Sequence, residues 1–574
     1  MVETQTAFSV AVLIDELRSE DITVRLRSLD QIDFIARVLG PSRARDELLP
    51  FVMDMSDDED EVLCVIASKL GTMVDDIGGP DYAFQLIRPL EQLAAVEEQC
   101  IRDKAIESLR QVCKALSKRA LVAHFSPFVM RLSVSDWYIS RVTACILAPE
   151  ILLKDFNSDL FRQLCELTRE DTPKVRRSAF SALVTVLPIL PSTIFEDTCA
   201  TLERCSRDEE DIVRMGAVEA AACLLSTSDR DQGGHAVAVA TRMINAASDD
   251  PSWRVRNSLI DSSERLASIC PSLGCQDLIS LSLIKLVHDP DSEVRAAAVT
   301  KLLRCLHHLN ESSAFVNILD SLSQASRDNA DSVRLGLATD FCRHTNSVPA
   351  EQFIQFCLPI VLQLVRDESV AVRIRMLSSL TKLPEFIPAE TYKIAFLPSL
   401  RELVGDKNWR VRKGLLQLLH EIAPSLSGMG YADEMLGWIE KLLSDTVYCV
   451  REAAGITLTQ VCCGDKALTE SAIPILQRIM ENQNYLCRVT GLLAAKTLGL
   501  STHDDETISL IFMAIKSCAT DSVANVRLSF IRAATELSRH DSVVASRITP
   551  IISDMERDSD IDVRSECKRY SKTK

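Results

Sequence analysis

The sequence contains few glycines, 18 in 574 residues, which is less than half of the average usage of about 7%. Turns with a positive φ angle rely on glycine, so few such turns are expected. No low-complexity tract interrupts the chain, and 47% of its residues are apolar and 25% charged, which is the range of a folded globular protein. These absences favour an ordered, helical fold.

Positive charge is also scarce, because 64 Lys and Arg stand against 81 Asp and Glu, for a net charge of −17. This balance disfavours a general nucleic-acid surface or an anionic membrane surface. No window holds the roughly 18 apolar residues that a membrane span needs. The N-terminal stretch MVETQTAFSVAVLIDELRSED has no basic n-region, so we expect neither a signal peptide nor an anchor. We predict no nucleic-acid partner and no membrane partner.

The sequence lacks the signatures of catalysis and of metal binding. No C-x-x-C pair occurs, and His307 and His308 have no acid or thiol at a recurring ligand spacing. Gly78, Gly79 and Gly428 belong to no phosphate-binding motif, and no G-x-S-x-G elbow or kinase signature set is present. We therefore predict no enzymatic activity, no cofactor and no metal.

The 19 cysteines are too dispersed to form the disulfide framework of a small secreted domain. They lie singly in apolar helical stretches, as Cys145, Cys305 and Cys357 do. Free cysteine is among the most buried residue types, so the pattern predicts reduced core thiols. We expect a cytoplasmic protein, with the nucleus as an open alternative.

What the sequence does contain is a recurring phrase, D-x-x-x-V-R with small variations. Five consecutive intervals from Arg256 to Arg451 are each 39 residues, and Leu63 takes the arginine's place in the second unit. This period is that of two-helix HEAT or armadillo units. The recurring arginines are Arg25, Arg102, Arg141, Arg176, Arg214, Arg256, Arg295, Arg334, Arg373, Arg412, Arg451, Arg488, Arg527 and Arg564. We predict an all-α fold, an α-solenoid of about fifteen HEAT repeats built from antiparallel helix pairs, which form one curved superhelix over residues 1–574.

Each unit is predicted to hold two amphipathic helices joined by an acidic turn. Phe353, Cys357 and Ile360 mark the apolar stripe of a first helix, while Val294 and Ala298 mark that of a second. An Asp or Ser in the turn can accept hydrogen bonds from the free N–H groups that open the second helix. The polar end SECKRYSKTK is expected to close the array, with no further domain left over.

Two features of the repeat carry structural expectations. A proline recurs thirteen or fourteen residues before the arginine and is expected to kink the first helix. The arginine is expected to pair with an Asp of its own turn or of the next, in a surface ladder whose exposed pairs each contribute little free energy. The prolines are Pro50, Pro89, Pro127, Pro359, Pro398, Pro474 and Pro550.

Aromatic residues mark the candidate binding surface. They stand three or four positions before the arginine, where a polar turn is expected, and are Trp137, Trp253, Trp409, Tyr448 and Tyr485. All turns should line one edge of the array, since every unit has the same orientation. Exposed Trp and Tyr dominate protein binding energies; the alternative is that they fold back over the adjacent helix. We predict one partner on units eleven to fifteen and a second around Trp137, Asp171 and Trp253.

Several turn phrases resemble those of the scaffold (A, PR65-type) subunit of protein phosphatase 2A (PP2A), unit for unit along nearly the whole chain. These phrases are GGPDY, IRDKAIESLR, DTPKVRRSA, SWRVR, NWRVR, VYCVREAA, NYLCR and DSVANVR. The resemblance implies a non-catalytic horseshoe scaffold that forms a heterodimer with the catalytic subunit, and a heterotrimer once a regulatory B subunit joins. The catalytic subunit would bind repeats 11–15, residues 390–574, and the B subunit repeats 1–7, residues 8–272.

The resemblance also implies contact residues. The catalytic subunit would contact Trp409, Arg410, Tyr448, Tyr485, Val523 and Asn525. The B subunit would contact Glu97, Glu98, Trp137, Asp171, Thr172, Pro173, Trp253 and Arg254. One turn, Glu481-Asn482-Gln483, departs from the usual Asp-Pro pattern. The main alternative is another HEAT adaptor such as a nuclear-transport receptor, which is expected to bind cargo mostly along its inner helices rather than at its turns.

Overall fold

The computed structural model describes residues 10–55, 57–227, 234–502 and 504–573. All regular elements in these residues are helices, which confirms the predicted all-α fold. Residues 8, 9 and 228–233 of the predicted repeats 1–7, and Lys574 in the predicted polar end, lie outside the described residues. The chain divides into two compact units, Met1–Ser282 and Leu283–Lys574.

In the first unit, first and second helices alternate along the chain. The first helices comprise residues 10–16, Pro41–Arg43 with Ala44–Leu48 and Leu49–Met53, Ala83–Leu86 with Ile87–Leu93, Lys118–Ala120 with Leu121–Phe125 and Ser126–Ser133, Ser158–Leu167, Ser192–Cys205, and His235–Ser248. The second helices comprise Ile22–Leu29 with Ile32–Leu39, Asp60–Thr72, Gln99–Ala115, Tyr138–Leu152, Pro173–Val186 with Leu187–Ile189, Asp211–Arg214 with Ala217–Ser226, and Trp253–Leu273.

The second unit continues the same alternation, and the helix Gln276–Val287 contains the boundary between the units. Its further first helices are Phe315–Ala325, Ala350–Gln352 with Phe353–Cys357 and Leu358–Leu364, Ala389–Thr391 with Tyr392–Phe396 and Leu397–Leu403, Ala432–Leu443, Lys466–Met480, Asp505–Ile515 with Lys516–Thr520, and Ser542–Met555. Its second helices are Ser292–Leu309, Asp331–Ala338 with Phe341–His344 and Thr345–Ser347, Val370–Ser379 with Leu380–Lys382 and Leu383–Phe386, Trp409–Gly428, Tyr448–Cys462, Tyr485–Ser501, Ala524–Leu537 and Ile561–Thr573.

The predicted apolar stripes form the core. Phe353, Cys357 and Ile360 of a first helix are buried, as are Val294 and Ala298 of a second helix. Their spacing places them on one face of each helix, so pairing the two faces removes both from water. The periodicity of the sequence therefore predicts the core correctly.

Four of the seven recurring prolines follow a local change in the first helix, whereas Pro474 and Pro550 lie inside continuous α-helices. Before Pro50, Pro127, Pro359 and Pro398 the backbone forms one π-helical turn. The N–H of Leu49, for example, bonds to the carbonyl five residues earlier, at Ala44. A proline clashes with the carbonyl four residues before it and offers it no N–H, so a wider turn relieves the clash. The expected distortion is thus a local widening of the helix.

The recurring arginine ties each turn to the next. Nη1 of Arg412 donates to the carbonyl of Asp406 in its own turn at 2.6 Å. Nε and Nη2 of Arg412 donate to the two carboxylate oxygens of Asp445 in the next turn, at 2.6 and 2.8 Å. That carboxylate also accepts the N–H of Val447, and the Asp445 carbonyl accepts from Arg451. One side chain therefore links two turns, and the same Asp orders the turn that it occupies.

This pairing recurs within both units. Arginines that bond to both oxygens of one carboxylate are found in the pairs Arg176 and Asp208, Arg214 and Asp250, Arg295 and Asp328, Arg334 and Asp367, Arg412 and Asp445, Arg488 and Asp521, and Arg527 and Asp558. The hydrogen bond from Arg295 holds the pKa of Asp328 below its ordinary value, because it outweighs the opposing effect of burial. The predicted pairing of the arginines is confirmed.

The prediction that these pairs form an exposed surface ladder is wrong. The side chains of Arg334 and Asp367 are only 6% and 3% exposed. The guanidinium lies beneath its own turn, where backbone carbonyls cover it. Removing one partner from such a buried pair leaves an uncompensated charge and is strongly destabilising, whereas an exposed pair contributes little.

We expect Asp367→Asn to lower the free energy of unfolding by about 3 kcal/mol, because it removes the buried carboxylate that accepts two hydrogen bonds from the Arg334 guanidinium. Asparagine can still accept the N–H of Ser369, which Asp367 holds. Urea unfolding followed by circular dichroism measures the difference. Glu368→Gln is the matched control: Glu368 also contacts Arg334 but its side chain is 86% exposed. Equal losses of unfolding free energy in both variants would show that burial does not set the contribution of an ion pair to stability.

The link at Arg451 is incomplete. Arg451 is 2% exposed, and its Nη1 donates to the carbonyls of Asp445 and Thr446. Among the described residues, however, it pairs with no carboxylate, and its Nε has no hydrogen-bond partner. Asn482, in the departing turn, accepts the N–H of Asn484 as the aspartates do elsewhere, but it carries no charge. The sequence departure therefore leaves a buried cation uncompensated.

Asn482→Asp is accordingly expected to stabilise the protein by about 1.5 kcal/mol, the scale of a hydrogen bond to a charged group. The midpoint of urea unfolding should rise. Gln483→Glu adds the same charge one residue away on an exposed side chain and serves as the control. If Asn482→Asp raises the free energy of unfolding no more than this control does, a carboxylate at position 482 does not stabilise the buried Arg451.

Candidate functional site

The five aromatic residues singled out by the sequence occupy equivalent positions. Trp253, Trp409, Tyr448 and Tyr485 are the first residues of second helices, and Trp137 is the N-cap residue of another. In each repeat, the turn between the two helices and the first two residues of the second helix are here called the turn ridge. The remaining candidate residues also lie on these ridges, so helix starts, more than turn centres, display the candidate side chains.

These aromatic side chains differ in exposure. Trp137 is 48% exposed, Trp253 47%, Tyr448 54% and Tyr485 37%. Trp409 is half-buried, and the guanidinium of Arg410 lies 4.7 Å from its ring centroid. Stacked cation and ring form one amphipathic surface. Four of the five side chains thus remain open to a partner, while Trp409 presents a ring that is partly covered.

In the second unit the candidate residues occupy consecutive turns. The pair of Arg412 with Asp445 joins the turn of Trp409 to that of Tyr448. The pair of Arg488 with Asp521 likewise joins the turn of Tyr485 to that of Val523, a half-buried N-cap residue. The exposed Asn525 lies two residues further along. The structure therefore brings the candidate catalytic-subunit residues into one row.

Tyr448 is the most exposed of the aromatic residues in this row. Its hydroxyl donates to Glu452 at 3.0 Å, and this hydrogen bond raises the pKa of Tyr448 above its ordinary value. The neutral, donating phenol is therefore the form that a partner meets at physiological pH. Beside it, a cavity of about 210 Å³ is lined by Tyr448, Leu493, Lys496 and Arg532.

In the first unit the candidate residues form a second row. Arg141 pairs with Glu170, which links the turn of Trp137 to the turn that holds Asp171, Thr172 and Pro173. Asp171 is exposed, while Thr172 and Pro173 are half-buried as the N-cap and first residue of a helix. The exposed Glu97 and Glu98 lie at the turn before Gln99–Ala115, whose Arg102 pairs with no carboxylate in the part of the chain described.

Trp253 and Arg254 complete this row. The Arg254 guanidinium lies 5.2 Å from the Trp253 ring centroid and 3.6 Å from the carboxylate of Asp211 in the preceding turn. The hydrogen bond from Ser252, assisted by the nearby Arg254, holds the pKa of Asp211 below its ordinary value. The turn therefore presents an aromatic ring, a cation and a carboxylate side by side.

Sequence reasoning missed exposed aliphatic residues next to the second-unit row. Leu486 is exposed directly after Tyr485, while Ile456 and Leu493 are exposed further along their second helices. The sequence could have revealed them as apolar residues at helix positions outside the predicted buried stripe. These side chains extend the apolar part of the turn ridge onto the adjoining helix faces.

Two other kinds of site are absent from the described residues. Within them, no group of three or more His, Cys, Asp and Glu side chains could hold a metal ion, and none of the helices combines the length and apolarity needed to cross a membrane. Free thiols account for all of the cysteines. The chemistry of the two rows, aromatic rings with flanking charges, is that of a protein-binding surface.

Solved structures with a similar fold are helical-repeat proteins. A crystal structure of Kap121p gives a TM-score of 0.61 at 14% sequence identity, covering 92% of this chain and 57% of that one. A Kap95:Nup1 complex gives 0.53 at 12% identity, covering 98% and 76%. These likenesses bear on the fold alone and agree with an all-α solenoid.

Sequence relatives are more specific, although no protein-family model matches the chain. A Schizosaccharomyces pombe protein, named as the regulatory A subunit of protein phosphatase PP2A, is 36% identical over 272 residues, 46% of each chain. A Caenorhabditis elegans protein named "Probable serine/threonine-protein phosphatase PP2A regulatory subunit" is 42% identical over 221 residues, 37% of each. The beta isoform of the human 65 kDa regulatory A subunit of serine/threonine-protein phosphatase 2A is 47% identical over 179 residues, 31% of this chain and 30% of its own. The aligned segments thus span less than half the length of these relatives, and over those segments the chain is a homologue of the regulatory A subunits of PP2A.

Proposed function

We propose that the chain is a non-catalytic scaffold of a PP2A holoenzyme. The catalytic subunit binds the turn ridge of the predicted repeats 11–15, and a regulatory B subunit binds that of repeats 1–7. The observation that carries the proposal is the row formed by Trp409, Tyr448 and Tyr485 at the same position of three consecutive second helices. The names of the sequence relatives support a place in a PP2A complex.

An aromatic row at the surface is suited to docking a protein. Large aromatic side chains bury much apolar area on binding and lose little conformational entropy. Ion pairs join the turn of Trp409 to that of Tyr448 and the turn of Tyr485 to that of Val523, so these turns need little reorganisation when a partner docks. The position of the row therefore favours protein docking over any role in the core.

A scaffold of this kind contributes to dephosphorylation without reacting itself. Holding a phosphatase and a substrate-binding subunit on one chain raises their effective concentration for each other. We include in the proposal heterodimers with the catalytic subunit, heterotrimers with a B subunit, and a cytoplasmic location. The isolated chain should have no phosphatase activity.

The catalytic-subunit row is tested with the double variant Trp409→Ala, Tyr448→Ala. Size-exclusion chromatography with purified PP2A catalytic subunit should show co-elution with the wild type and loss of the complex with the variant. Truncating Trp409 alone should weaken binding by about 2 to 4 kcal/mol, the range of interface hot spots. The variant should retain its helical circular dichroism, because both side chains lie outside the core.

Ile394→Ala is the matched control. Ile394 is 73% exposed but lies on a first helix, away from the turn ridge. Equal loss of binding in this control would show that general surface apolarity drives association. Failure of the wild type to co-elute would overturn the proposal and favour a HEAT adaptor of another kind.

The regulatory-subunit row calls for a reciprocal experiment. Trp253→Ala is expected to weaken capture of a B subunit by the assembled heterodimer at least tenfold. The variant removes the exposed ring and leaves Arg254 without the surface on which it stacks. Binding of the catalytic subunit should be unchanged. If the variant keeps the B subunit but loses the catalytic subunit, the assignment of the two rows is reversed.

A further inference from the structure

The joint between the second and third predicted repeats lacks the arginine that links turns elsewhere. Arg25 pairs with Asp58 and so joins the first two turns. The next position in the series is Leu63, a buried aliphatic residue that offers no hydrogen bond to the following turn at Glu97 and Glu98. The helices Asp60–Thr72 and Gln99–Ala115 therefore pack side by side without this connection.

Two cysteines face each other across this same joint. Cys64 directly follows Leu63, and its Sγ lies 3.4 Å from Sγ of Cys100 on the neighbouring second helix. Cys100 is exposed and Cys64 is half-buried, whereas most of the other cysteines are buried. The pair is therefore accessible to small reagents, unlike the core thiols.

We propose that Cys64 and Cys100 form a reversible disulfide that cross-links the second helices of the second and third predicted repeats. A disulfide bond is about 2.05 Å long, so the sulfur atoms need to approach by roughly 1.4 Å. Both side chains lie at the helix surface, where rotation about Cα–Cβ can bring the sulfurs together. The covalent bond takes the place of the missing ion pair.

The oxidant is a low-molecular-weight disulfide of the glutathione type. The Cys100 thiolate attacks one sulfur of that disulfide, which releases one small thiol and leaves a mixed disulfide on Cys100. The Cys64 thiolate then attacks the Cys100 sulfur and releases the second small thiol. In the balance, two protein thiols lose two protons and two electrons, and one small disulfide is reduced to two thiols.

The environments of the two sulfurs assign the order of attack. Burial, together with the hydrogen bond and proximity of Cys100, raises the pKa of Cys64 to about 11. Cys64 is therefore a poor first nucleophile, and the exposed Cys100 reacts first. Once Cys100 is part of a mixed disulfide, its thiol no longer raises the pKa of Cys64, so the Cys64 thiolate forms more readily. In a reducing compartment this bond forms only under oxidative conditions.

The test is to incubate the full chain with oxidised glutathione, block remaining thiols and digest with trypsin without reduction. Trypsin does not cut before Pro89, so Cys64 falls in the peptide 46–69 and Cys100 in the peptide 70–102. Mass spectrometry should find these two peptides joined, with the loss of two hydrogens, and dithiothreitol should separate them. The oxidised wild type should also show a higher thermal unfolding midpoint than the reduced protein.

Control variants separate this disulfide from other thiol chemistry. Cys64→Ser and Cys100→Ser should each abolish the joined peptides and the thermal shift. Cys463→Ser, which removes another exposed thiol, should leave both unchanged. Glutathione retained on Cys100 without the cross-link would overturn the proposal. So would a disulfide confined to Cys270 and Cys275, which both lie in the peptide 266–285.

Discussion

The guanidinium that bridges two successive turns is the interaction that orders the turns and helix starts on which the candidate binding residues lie. Its Nη1 holds its own turn through backbone carbonyls, and its Nε and Nη2 hold the aspartate of the next turn, as Arg412 does with Asp445. That aspartate also accepts an N–H at the start of the following helix. Where this pair is present, one set of contacts orders its own turn, the next turn and the start of the second helix that follows, and the candidate binding residues beside it lie on this support.

At two joints that lack this ion pair, other side-chain contacts are found between the neighbouring repeats. Beside Leu63 the contact is a pair of thiols, Cys64 and Cys100. At Asn482 a neutral amide donates to Ser444 and leaves Arg451 buried without a counter-ion. At these two joints a thiol pair or a neutral amide stands where other joints have a charged link, while the apolar core carries most of the packing free energy.

The period of 39 residues and the apolar stripes were sufficient to predict the helix pairs, the core and the location of the aromatic residues. Burial of the arginines was not predictable, since D-x-x-x-V-R has the composition of an exposed turn and only the fold covers its guanidinium with carbonyls. The recurring proline predicts a distortion of the first helix, but the form of that distortion, a π-helical turn before Pro359, is visible only in the backbone hydrogen bonds. Trp409 is less exposed than predicted, and the contact of Cys64 with Cys100 arises only when neighbouring repeats pack.

The central functional claim is that the catalytic subunit docks on the starts of consecutive second helices. Amides in the first turn of a helix lack intrahelical acceptors, so they exchange quickly with solvent unless a partner covers them. Hydrogen exchange of the chain should therefore be compared with and without the PP2A catalytic subunit. We predict slower exchange at the starts of Trp409–Gly428, Tyr448–Cys462 and Tyr485–Ser501, with no change in Ala432–Leu443. Protection confined to the first helices, with these starts unchanged, would contradict the claim.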